Sequence, residues 1–124
     1  MFPLFFEAYM TLIRFDVCVK RRAFADLYKR VRNCPVRDRA ASNDEVDRIC
    51  YAVDLASIWY WKEVLCLQRS AATAYMLKKH GAPAHMVLGA QQIPFKAHAW
   101  VELAGRVVND KPYIPEMYSV LDRC

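Results

Sequence analysis

CLQRSAATAYMLKKHGAPAHMVLGAQQIPFKAHAWVELAGRVVND, residues 66–110, changes its period halfway along. From Cys66 to Lys79 it reads as a helix. Ala71, Ala72 and Ala74 favour that conformation and are small enough to let the helix sit close against a sheet. Lys78, Lys79 and His80 suit the negative end of the helix dipole, and Gly81 is the stop. Beyond it the pattern becomes strand-like. His85–Ala90 and Ala97–Leu103 are predicted strands, and Val107–Asp110 a third, joined by a tight turn around Gly105. A helical first half followed by a helix on a three-stranded antiparallel sheet is the α+β class.

Three residues of this stretch have the chemistry of acyl transfer. A cysteine nucleophile needs a base to take its proton and a third group to orient that base. Cys66 stands where the helix begins, where unpaired N–H groups and the positive dipole end favour thiolate over thiol. The same N–H groups can hold an oxyanion. His98 lies mid-strand, on the face that alternation gives to Trp100 and Glu102, while Ala97, Ala99, Val101 and Leu103 form the apolar face. Asp110 ends the third strand. The bland readings are a buried structural cysteine, a hydrogen-bonded structural histidine and a turn aspartate. Cys18, Cys34, Cys50, His80 and His85 take those bland readings. For Cys66, His98 and Asp110, order, spacing and element type agree on a nucleophile, a base and an orienting acid. In a regular antiparallel pair, His98 and Asp110 share a face only if opposed residues have an even number sum. A three-residue turn, Ala104-Gly105-Arg106, or a bulge is therefore the expectation.

Outward from this stretch, the 124 residues suit one domain, with a helical part at 1–61 and the helix, sheet and tail at 62–124. Residues 3–15 read as a helix with Leu4, Ala8, Leu12 and Phe15 on one stripe, and Cys18–Val31 as a second with Phe24, Leu27, Tyr28 and Val31. Ser42 and Glu45 form a capping-box pattern ahead of Val46, Ile49, Cys50, Val53 and Ala56. Ile58-Trp59-Tyr60-Trp61 reads as core that also walls a cleft, and the tail as a short helix from Glu116. The net charge of +5 comes largely from Lys20, Arg21, Arg22, Lys29, Arg30, Arg32, Arg37 and Arg39, read as a solvated face rather than a nucleic-acid site. Five cysteines without a Cys-x-x-Cys pair argue against a zinc site or a disulfide framework and fit a reducing cytosol. No metal or cofactor is expected. The apolar start MFPLFFEAYMTLIRF is too short to span a membrane and lacks a cleavage site; it reads as a core or partner-facing helix.

CLQRSAATAYMLKKHG, PFKAHAWVE and GRVVND resemble the leader peptidases of lasso-peptide biosynthesis, within the transglutaminase-like (papain-like) cysteine peptidase superfamily. That family has a Cys-Leu-x-Arg-Ser helix start, an Ala-His-Ala-Trp-Val-Glu strand and a final Asn-Asp. Its nucleophile falls on Cys66, its base on His98 and its orienting acid on Asp110. The family's cysteine often follows a proline-containing turn, where this chain has Trp61-Lys62-Glu63-Val64-Leu65.

The resemblance implies a cytoplasmic enzyme that cuts a ribosomally made precursor between leader and core. The freed core amine then goes to an ATP-dependent macrolactam cyclase. At 124 residues no room is expected for a leader-binding domain, so a separate leader-recognition protein is implied. Rival readings are a non-catalytic member of the fold and an acyl-transfer enzyme acting on another peptide.

Overall fold

The computed structural model describes residues 2–21 and 23–124, so Arg22 of the basic segment lies outside the described residues. Four helices come first: α1 (Phe2–Lys20), α2 (Phe24–Asn33), α3 (Asn43–Trp59) and α4 (Cys66–Lys79). Then follow β1 (His85–Gln92), β2 (Phe95–Leu103), β3 (Arg106–Val107), the one-turn helix α5 (Ile114–Met117) and β4 (Ser119–Arg123). The sheet is antiparallel with strand order β3-β2-β1-β4. The class is α+β.

Helix α4 is the hub. It packs on α1, α2, α3 and the sheet. Its alanines explain why so many neighbours fit: Ala71, Ala72 and Ala74 are fully buried. The stripes read from the sequence make the rest of the core, with Ala8, Leu12 and Phe15 from α1, Leu27 and Val31 from α2, and Val46, Ile49, Cys50, Val53 and Ala56 from α3. Ser42 caps α3 by accepting from the Glu45 N–H at 3.1 Å, while the Glu45 carboxylate turns to Arg39 instead of closing the reciprocal half of a capping box. Gly81, at φ +98°, ends α4 beneath the Arg39 carbonyl; a Cβ there would fall 1.5 Å from that oxygen. Buried Lys78 donates to the carbonyls of Val31 and Cys124 at 2.7 and 2.6 Å, tying the end of α2 and the tail to α4.

Several expectations are corrected. The first helix runs on to Lys20, so the second begins at Phe24 rather than Cys18. The sheet has four strands, not three: after one turn of helix the tail becomes β4 and adds to the free edge of β1. Its five residues are all exposed, so no alternation marked them. The third strand is Arg106–Val107 rather than Val107–Asp110. Of the aromatic cluster only Tyr60 is core; Ile58, Trp59 and Trp61 are 76%, 70% and 68% exposed. Helix α3 ends at Trp59, and those three side chains project away from the packed stripe.

Leu103 pairs with Arg106, so the β2–β3 turn is the two-residue Ala104-Gly105, both at positive φ (54° and 76°), rather than the expected three-residue turn or a bulge. The pairing of Glu102 with Val107 has an odd sum, which in a continued ladder would put Asp110 behind the sheet from His98. The ladder does not continue. β3 stops at Val107, and residues 108–110 bend away from strand geometry.

Candidate active site

His98 and Asp110 meet. His98 Nε2 lies 2.7 Å from Asp110 Oδ2. Asp110 Oδ1 accepts from the Lys111 N–H at 2.8 Å, and Arg69 of α4 brings a guanidinium nitrogen to 3.9 Å from Oδ2. Partial burial pushes the Asp110 carboxyl up. The bond from His98, the Lys111 N–H and the charges of His98 and Arg69 outweigh it and hold the group below the ordinary carboxylate range. Asp110 therefore stays an anion that accepts the Nε2–H proton, leaving Nδ1 as the ring nitrogen free for other chemistry.

Packing fixes the ring as well. His98 stacks on Trp100 and on Tyr118, with centroids 6.1 and 5.4 Å apart and planes inclined by 27° and 25°. Gly89 stands directly opposite His98 in β1. A Cβ at that glycine would lie 2.6 Å from the Trp100 ring and 2.9 Å from Tyr118 Cβ. The missing side chain is what lets both aromatics close around the imidazole. Trp100 Nε1 donates to Glu102 at 2.9 Å, so the face shared by His98, Trp100 and Glu102 is the one alternation assigned.

Cys66 is the first residue of α4, half-buried and unpaired with any other cysteine. Ser70, one turn further on, donates to the Ala99 carbonyl at 3.0 Å. Side chains four apart share a helix face, so Cys66 lies about one turn, roughly 5–6 Å, from Ser70 on the face of α4 that meets β2. Among the described residues no hydrogen bond joins Cys66 Sγ to His98. His80 bonds Glu7 at 3.1 Å, which is the structural role read for it. No group of three metal-ligating side chains comes together among the described residues.

The start of α4 is held by residues that sequence reasoning missed. Gln68 Oε1 accepts from the Leu65 N–H at 2.9 Å, and Gln68 Nε2 donates to buried Asp16 at 3.2 Å. Asp16 also accepts from Tyr60 OH at 3.1 Å and pairs with Lys62 at 2.9 Å. Burial, with the Asp16 charge, pushes the Tyr60 phenol up to about 12, so it remains a donor. These bonds fix the loop before Cys66 from α1, across more than forty residues of sequence. A polar residue on the apolar stripe of α1 was the available signal.

The family model of the transglutaminase-like superfamily matches residues 9–123, and the chain belongs to that superfamily. Within it, the chain is 39% identical over 56 residues to the microcin J25-processing protein McjB of Escherichia coli. The matched stretch is 45% of this chain and 27% of that relative, so this chain covers about a quarter of the curated relative it matches. No solved structure matches.

Proposed function

We propose that this chain is a cysteine peptidase that removes the leader from a ribosomally made lasso-peptide precursor, with Cys66 as nucleophile, His98 as base and acid, and Asp110 as the group that orients His98. The 2.7 Å bond from His98 to Asp110, with Cys66 opening the helix that packs on the strand of His98, supports the chemistry. Similarity to a protein described as processing microcin J25 supports the substrate class.

The sulfur of Cys66 attacks the scissile carbonyl carbon while its proton passes to His98 Nδ1. The carbonyl oxygen becomes an oxyanion that the free N–H groups opening α4 stabilise. His98 gives its proton to the leaving amine, the C–N bond breaks and the core peptide departs with a free N-terminus. Water then attacks the thioester carbon as His98 takes a proton from it, the C–S bond breaks, and the leader leaves as an acid while His98 returns the proton to the Cys66 sulfur. Hydrogen bonds between nucleophile and base tighten with substrate bound, so the bond from Cys66 to His98 forms in the complex.

The freed amine is the substrate for an ATP-dependent macrolactam cyclase, and a separate leader-recognition protein delivers the precursor. Phe6, Met10 and Val17 form an exposed stripe on α1, and Lys20, Arg21, Lys29, Arg30 and Arg37 are exposed basic residues. These are the surfaces for that partner. None of the described helices is long and apolar enough to cross a membrane, and five free cysteines support a cytoplasmic setting.

The test is incubation of the precursor with this protein, with and without the leader-recognition protein, followed by mass spectrometry. Separate leader and core masses are expected, appearing faster with the partner. An intact precursor in both mixtures would remove the peptidase reading. Equal rates at low precursor concentration would remove the delivery role.

A further inference from the structure

We infer that Asn109 and Ser70 are positioning residues: their side chains tie together the three elements that carry Cys66, His98 and Asp110, and Asn109 directs Asp110 onto His98. This rests on the function proposed above for its purpose, and on the geometry alone for its mechanism.

The backbone groups of Ala99, Val101 and Leu103 alternate onto the β3 side of β2. Leu103 finds Arg106 there, and the Val101 carbonyl accepts from the Val108 N–H at 3.0 Å. In a continued ladder the Val101 N–H would donate to the Val108 carbonyl. It donates instead to Asn109 Oδ1, at 2.8 Å. Two residue pairs further along, the Ala99 carbonyl would meet residue 110 of a longer β3; it accepts from Ser70 Oγ instead. Asn109 Nδ2 donates to Ser70 Oγ at 3.1 Å and closes the loop of bonds. The amide orientation follows from its partners, because the Val101 N–H can only donate.

Both side chains are buried, Ser70 completely and Asn109 to within 8%. The Val101 N–H and the Ala99 carbonyl that they pair are groups the end of β3 would otherwise orphan, which is costly in a buried place. The consequence is directional. With the Asn109 side chain standing in for a ladder carbonyl, the main chain is released after Val108. Asp110 then turns onto the His98 face instead of the opposite one. Ser70 is four residues after Cys66, Ala99 is next to His98, and Asn109 is next to Asp110, so each catalytic group is one step from the knot.

The experiment reads two quantities on Asn109→Ala, Asp110→Ala and the double variant. The first is the low-field imidazole N–H resonance of His98, which needs no substrate. It is expected in the parent and lost in both single variants; its retention in folded Asn109→Ala would overturn the inference. The second is precursor cleavage. Asn109→Ala is expected to lower kcat about 30-fold with KM within about twofold, and the double variant to be no slower than Asp110→Ala alone within about twofold. Losses that multiply would mean that Asn109 acts only on stability, and would overturn it too. If Asn109→Ala does not fold, Ser70→Ala leaves the bond to Val101 in place. It is then expected to weaken the resonance and lower kcat about tenfold, and no change in either would overturn the inference. A parent that shows the resonance, loses it in Asn109→Ala and cleaves no precursor would refute the proposed function while leaving the positioning role standing.

Discussion

At one end the β2 edge is closed by backbone, at the other by side chains. Leu103 pairs with Arg106 across a tight turn whose two residues take positive φ. That end is set by local chain geometry, and nothing lies within 4 Å of where a Gly105 Cβ would be. Two and four residues back along β2 from Leu103, Asn109 and Ser70 occupy the places that a third and a fifth pair of β3 would fill. The hairpin end only joins strands, whereas the side-chain end also decides which face Asp110 reaches. Stability and catalysis should therefore separate between the two ends.

The largest effects are expected at the reacting groups. Cys66→Ala and His98→Ala should each lower precursor cleavage by roughly 10⁴-fold or more with the fold retained, seen by mass spectrometry and circular dichroism. Asp110→Ala should fall by roughly 10²-fold, because an orienting group costs less than a nucleophile or base. Asp110 also has a pH signature. Its folded-state carboxyl lies below the ordinary value of 3.8, so its contribution to stability is fully present above that value and is lost as pH falls through the folded one. The Tm gap between the parent and Asp110→Asn should be widest above about pH 5 and close in stronger acid.

Gly89→Ala sharpens the contrast from the middle of the sheet. The added Cβ meets Trp100 and Tyr118, so about 1–3 kcal/mol of stability and several-fold in kcat should be lost together, read by urea denaturation and cleavage kinetics. Gly105→Val is the smallest in activity. Holding a β-branched residue at φ +76° costs about 1–2 kcal/mol, while kcat per folded molecule should match the parent. A fall in kcat there would erase the distinction between the two ends.

What could be read from the sequence follows physical range. The stripes of α1 and α3, the bounds of α4 and the shared face of His98 and Trp100 are local periodicities, and the structure has them. His98 and Asp110 were paired by chemistry and meet, but by a route that strand parity misses, because Asn109 ends the ladder early. The missed features are long-range: β4 on an edge its own residues do not advertise, and the Asp16–Gln68 bond that steadies the start of α4. A side chain standing in for a backbone carbonyl leaves no period at all.

The most direct measurement of the central claim follows cleavage activity and cysteine labelling together during a brief iodoacetamide treatment. Cys66 should be carbamidomethylated ahead of Cys18, Cys34, Cys50 and Cys124. Burial raises the thiols of Cys34, Cys50 and Cys124, that of Cys50 to about 12, and Cys18 is itself buried. Precursor cleavage should fall in step with the Cys66 label, reaching zero when that one site is filled. Activity that survives complete labelling of Cys66 would contradict its role as the nucleophile.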